Sequence, residues 1–143
     1  ERDELTKAHY FGPLAFSKHI VPQRIVLNLV ASTKEDAIRE LIQAVPPSHK
    51  IHDKEELIKR VLEREQIETT GIGEGIAIPH ARTDVVKDIC ICLGISPKGI
   101  NYGSIDDKPV HILFLLAASE SAHNAYLNTL AGVALVFKDR KFC

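Results

Sequence analysis

The chain has 143 residues, 45% hydrophobic and 26% charged, which is the balance of one globular domain and excludes a disordered tail, a collagen repeat or a coiled coil. A chain this long buries roughly two-thirds of its unfolded surface, enough for one real core. With 18 Lys and Arg against 19 Asp and Glu the net charge is −1, so neither nucleic-acid binding nor a polybasic hold on anionic lipid has its driving force.

From the N-terminus, residues 1–17 are mixed in character and broken by Gly12-Pro13, and are expected to form a loosely held arm. Ile25–Leu29 is a short β-branched run and predicts a strand. Ser32-Thr33-Lys34-Glu35 fits a capping box, and Ile38, Leu41, Ile42 and Val45 recur at helical spacing behind it until Pro46-Pro47 stop the helix. Asp53 is the expected N-cap of a second helix with Leu57, Ile58, Val61 and Leu62 on its apolar face. Thr69–Gly75 cannot be helical, since three glycines alternate there, and Ile76–His80 is a short extended stretch stiffened by Pro79. Ile89–Ile95 and Val110–Ala118 carry the strongest strand signals, with turn residues between them. A last helix is expected from about Ser121 to Phe137, capped by Ser119 or Ser121, with Leu127, Leu130, Ala131, Ala134 and Phe137 as its apolar stripe. The order β-α-α-β-β-β-α predicts an α/β domain: a mixed four- to five-stranded sheet flanked by helices in a single layered unit.

No run approaches the about 20 apolar residues of a membrane helix, and the charged start Glu1-Arg2-Asp3-Glu4 lacks a signal-peptide core. The expected setting is cytoplasmic, without direct membrane insertion. Cys90, Cys92 and Cys143 read as reduced thiols, with Cys90 and Cys92 on one face of a strand as small hydrophobes.

Known chemical signatures mostly fail. The glycine run is G-x-G-x-G, without the spacing or following helix of a nucleotide loop. Nucleophile-elbow and zinc-hydrolase patterns are absent, and scattered histidines give no metal site. No cofactor is implied. Of seven histidines, His49 and His52 fall in a loop, His111 in an apolar strand, and His123 opens the last helix, where a neutral ring is favoured. His80 differs. It follows a rigid proline, trails a loop with free backbone angles, and has Arg82 two residues on and Arg64 on the preceding helix. A neutral imidazole is a good nucleophile near pH 7, and a guanidinium stabilises a bound phosphoryl group. A histidine that simply ends a strand remains the alternative.

The stretch Thr70-Gly71-Ile72-Gly73-Glu74-Gly75-Ile76-Ala77-Ile78-Pro79-His80-Ala81-Arg82 resembles the active-site signature of the fructose/mannitol-type enzyme IIA domains of the phosphoenolpyruvate-dependent sugar phosphotransferase system. Nitrogen-related enzyme IIA regulators share that family. The resemblance runs from about Phe16 to Phe142, with Asp107–Leu116 similar to the family's last core strand. It implies a phosphocarrier domain over 18–143 whose His80 takes a phosphoryl group from an HPr-type phosphocarrier protein. The group then passes to an enzyme IIB domain, or is kept as a signal that governs binding to a regulated protein. It implies a phosphate-stabilising role for Arg64, sixteen residues before the histidine. From backbone freedom, the amides around Gly73 and Gly75 are expected to add phosphate contacts, with Arg82 beside them.

Two departures from the family pattern stand out. Many members carry a second histidine before the Leu of H-L-x-x-L-A, where this chain reads Tyr126-Leu127-Asn128-Thr129-Leu130-Ala131. Either Tyr126 donates a phenolic hydrogen bond to the phosphate, or His123, one turn earlier, substitutes. Family domains usually continue past the Lys138-Asp139 region into another helical segment, which this sequence is expected to lack, and the expected consequence is an incompletely covered helical layer.

Overall fold

The computed structural model describes residues 15–47 and 49–138. Most of the expected N-terminal arm, with His9, and Cys143 lie outside them. Within them stand strands β1 (Ile25–Val26), β2 (Gly71–Gly73), β3 (Ile76–Ala77), β4 (His80–Arg82), β5 (Ile89–Ile100) and β6 (Val110–Ala118). The helices are α1 (Lys34–Gln43), α2 (Lys54–Ile67) and α3 (His123–Lys138). All six strands join one mixed sheet in the order β1-β5-β6-β3-β2, with β4 also paired to β6. The α/β class is therefore as expected, with one strand more than the upper end of the expected count. The glycine run supplies it, as β2 pairs antiparallel with β3.

β6 is central and covered on both faces, which is why its sequence is nearly unbroken apolar. Its residues divide by alternation. Leu113, Leu115 and Ala117 join Cys90 and Cys92 of β5 in a core against α1 and α2. Phe114, Leu116 and Ala118 join Ile89 and Ile91 in a second core against α3. The two thiols are thus free, fully buried members of the first core.

Four expectations need correction. The first strand is only Ile25–Val26, because a 3-10 turn at Pro22–Arg24 precedes it and the chain turns away after it. That turn is pinned by buried Arg24, whose guanidinium donates to the Ile91 and His19 carbonyls and to His49 Nδ1. The α1 cap is Thr33, not Ser32, and its hydroxyl accepts from the Asp36 amide. Glu35 is consequently in the first turn, out of a capping box. Asp53 does cap α2, accepting from the Glu56 amide at 3.0 Å. On α3 the stripe lies one face over. Tyr126, Thr129 and Val133 are buried, with Leu130 and Phe137 packed beside them, while Leu127, Ala131 and Ala134 face outward. Finally, α3 starts at His123 behind a 3-10 turn, Glu120–Ala122, whose preceding Ser119 makes no side-chain cap.

Candidate functional site

The local sequence fixes where His80 stands. Glu74 and Gly75, at φ of 59° and 80°, form a two-residue turn that takes the chain from β2 into β3. β3 and β4 then run along the same edge of β6 as one interrupted strand: Ala77 is level with Leu113, and His80 with Leu116. Pro79 causes the interruption, since it has no N–H to give. Its carbonyl still accepts from the Leu116 amide, and the Ile78 amide turns to the Thr70 carbonyl at 3.0 Å.

The strand continues through Arg82, so His80 and Arg82 share one face and buried Ala81 takes the other. Their face is that of α3. The Tyr126 ring lies edge-on to the His80 ring, with centroids 6.0 Å apart. The Arg82 guanidinium lies 5.6 Å over the same Tyr126 ring and donates to His123 Nδ1 at 2.5 Å. His123 Nδ1 is therefore unprotonated there, since a guanidinium can only donate. Arg64, in the last turn of α2, donates to the Glu68 carbonyl at 2.9 Å. Its charge reaches both His80 and Tyr126.

His80 is half-buried, and its Nδ1 is 2.8 Å from the Ile78 carbonyl. A carbonyl only accepts, so Nδ1 carries the proton and Nε2 keeps the lone pair. Burial lowers the imidazole pKa. The Ile78 bond opposes that, Arg64 lowers it further and Glu65 raises it. The ring is consequently neutral and nucleophilic at pH 7. Burial pushes the Tyr126 phenol up to about 12, with Arg82 and Arg64 opposing, so it stays a hydrogen-bond donor. A neutral nitrogen nucleophile with the Arg64 charge acting on it, a phenol ring beside it and a second guanidinium, Arg82, over that phenol can accept an electrophile that brings negative charge, such as a phosphoryl group.

The structure thus gathers His80, Arg64, Arg82, Tyr126 and His123. It separates Gly73 and Gly75 from them. Gly75 lies beside His111, at the other end of the β3–β4 run, and His80 is five residue steps further along extended chain, about 16 Å away. The Gly73 amide already donates to Ser104 Oγ and the Glu74 amide to Asp106 Oδ2. These glycines shape the hairpin and hold no phosphate at His80. Among the described residues no group of three or more His, Cys, Asp or Glu is placed to hold a metal ion. No helix there is long and apolar enough to cross a membrane.

Sequence reasoning missed Glu65. It is 6% exposed, pairs with Lys34 Nζ at 3.1 Å, and accepts from both the Thr70 amide and the Thr70 hydroxyl. A signal was available: Glu65 continues the buried stripe of Leu57, Ile58 and Val61, an apolar position in α2.

A family profile described as "Phosphoenolpyruvate-dependent sugar phosphotransferase system, EIIA 2" matches residues 18–143. The fructose-specific EIIABC component of Bacillus subtilis is 40% identical over 107 residues, 75% of this chain but 17% of that protein. A nitrogen regulatory protein of Bradyrhizobium diazoefficiens is 31% identical over 122 residues, 85% of this chain and 78% of that protein. Among solved structures, the nitrogen regulatory protein IIA-Ntr of Neisseria meningitidis has the same fold, with a TM-score of 0.80 at 24% identity over 89% of this chain and 86% of that one.

Proposed function

The chain belongs to the type 2 enzyme IIA family of the phosphoenolpyruvate-dependent sugar phosphotransferase system, and from that premise we propose that His80 Nε2 is its phosphoryl acceptor. The single observation that supports this most is the Nδ1 contact to the Ile78 carbonyl, because it dedicates the other nitrogen to attack.

The donor is an HPr-type phosphocarrier protein. The Nε2 lone pair bonds to phosphorus in line as the bond to the carrier's leaving atom breaks, and the carrier keeps that electron pair. The imidazole, still protonated at Nδ1, gains positive charge as the P–N bond forms. The Ile78 carbonyl then accepts a charge-assisted bond, stronger than the one in the resting ring. Arg64 and Arg82 face the negative phosphoryl oxygens, and the Tyr126 hydroxyl is a neutral donor to them. Arg82 reaches them by leaving His123 Nδ1, where it rests. Tyr126 thereby stands where many relatives have a second histidine.

The onward acceptor is an enzyme IIB domain in sugar uptake. The 40% identical relative is named as an EIIABC component, with A, B and C units in one protein, and this favours relay. The setting is the cytoplasm, where the phosphoenolpyruvate-fed carrier works. A second reading, a regulator whose phosphorylation governs binding to a partner protein, is favoured by the nitrogen regulatory relative that matches 85% of the chain.

Incubation with phosphoenolpyruvate, enzyme I and the HPr-type carrier tests the acceptor. Acid-labile label is expected on the native chain and absent from His80→Ala; label retained by that variant overturns the assignment. Adding a IIB domain then separates the readings: rapid loss of label to IIB marks relay, and label that stays put marks regulation.

A further inference from the structure

We propose that Glu65 is a positioning residue for phosphoryl transfer, because one buried carboxylate anchors both the helix end that carries Arg64 and the hydrogen-bonded path that holds His80. The inference rests on the reading of His80 as acceptor and adds a residue that does not touch the phosphoryl group.

The path can be followed bond by bond. Glu65 accepts from the Thr70 amide at 3.1 Å and from the Thr70 hydroxyl. The Thr70 carbonyl accepts the Ile78 amide at 3.0 Å. The Ile78 carbonyl, on the far side of the same residue, accepts His80 Nδ1–H at 2.8 Å. Thr70 is 5% exposed and Ile78 5%, so water offers no substitute partners. The donors are ordered in one direction: Tyr102 O–H donates to Thr70 Oγ1 at 2.9 Å, since the Thr70 proton is committed to Glu65. Lys34 Nζ reaches the carboxylate from α1 and lies 4.7 Å over the Tyr102 ring.

Chemistry argues that the charge has a use beyond folding. A buried carboxylate is costly unless paired and hydrogen-bonded, and an apolar residue at the same position usually serves stability as well or better. Here the carboxylate sits one residue after Arg64, at the junction between α2 and the segment leading to β2. Its field also opposes that of Arg64 at the imidazole. Glu65 therefore maintains a nucleophile that is held by one nitrogen and flanked by one cation, without letting that cation depress its basicity further.

The experiment compares the native chain with Glu65→Gln and Thr70→Val. Gln preserves shape and one acceptor but removes the charge; Val removes the hydroxyl and leaves the carboxylate. Three readouts are taken on the intact protein: steady-state phosphorylation by the HPr-type carrier, the NMR titration of the His80 ring, and exchange of the Ile78 amide. For Glu65→Gln, kcat is expected to fall at least tenfold with KM for the carrier within twofold. The His80 midpoint should move down, and Ile78 exchange should quicken at least tenfold. For Thr70→Val, kcat and Ile78 protection fall in the same sense while the His80 midpoint stays. Retained kcat and an unmoved His80 titration in Glu65→Gln overturn the proposal. Should Glu65→Gln fail to fold, retained kcat and Ile78 protection in Thr70→Val overturn it alone. Failure of the acceptor reading shows differently, as label that persists in His80→Ala, and the titration and exchange still report on Glu65.

Discussion

Replacing Arg64 by Ala removes the cation that α2 presents to His80 and Tyr126. The loss falls in the transition state, when charge develops on oxygens that the resting ring does not carry. A hydrogen bond to a charged group contributes about 1.5–3 kcal/mol, which converts to a roughly ten- to 150-fold lower kcat/KM. Half-exposure of Arg64 places the expectation in the lower part of that range, because water takes over part of the role. Arg64 also bonds the Glu68 carbonyl at the helix end, so thermal unfolding must be measured beside the kinetics; a small drop is expected. Arg64→Lys keeps a charge but not the planar fork, and an intermediate loss of about three- to tenfold is expected. The assay is label transfer from the HPr-type carrier under single-turnover conditions. A loss of less than twofold in Arg64→Ala, with the fold intact, refutes the assignment of Arg64 to the phosphoryl oxygens.

Tyr126→Phe keeps the ring edge that packs on His80 and deletes the hydroxyl; a rate loss of about two- to tenfold is expected from one neutral hydrogen bond, with unchanged unfolding temperature. The pH profile of phosphorylation should hold its plateau below the ordinary imidazole value of 6.5 before it falls, since burial lowers the His80 pKa and the neutral ring is the nucleophile; an inflection above 6.5 contradicts this. The same depressed group makes stability decline as pH drops from 6.5 through the lower folded value, because the unfolded ring binds its proton first, and urea unfolding at two pH values reads that slope. Gly71→Ala places a Cβ 2.8 Å from the Ser104 Cα, backbone that cannot swing aside. Overpacking of about 1–3 kcal/mol is expected, with a Tm lower by roughly 3–10 °C in a scanning measurement.

Helices α1 and α2 and the two long strands were legible from periodicity and caps, because their buried faces are written in side chains next to one another in sequence. The Ser32 cap missed by one residue since Ser32 and Thr33 offer the same hydroxyl, and only the backbone decides which turns first. The stripe of α3 was misread because the helix is apolar almost all round; sheet residues Phe114 and Leu116, distant in sequence, choose the face. At the site, a resemblance singled out His80, Arg64 and Tyr126, which the structure brings near one another, whereas the shared face of His80 and Arg82 depended on a strand that continues past Pro79. The glycine amides misled because free φ angles reveal a turn but not its direction: Ser104 and Asp106, about thirty residues away, take those donors. Glu65 escaped because its partners Lys34, Thr70 and Tyr102 meet only in three dimensions.

His80 is rooted in β4, in register with Leu116 of the most deeply buried strand, and not on a loop that could swing. Such an anchor rules out a ferrying arm. With His80 as the proposed acceptor, whoever delivers the phosphoryl group and whoever collects it must visit the same spot in succession. On the relay proposed for His80, mutual exclusion of the two visitors, and hence ping-pong kinetics in which each inhibits the other competitively, follows from three residues of sheet.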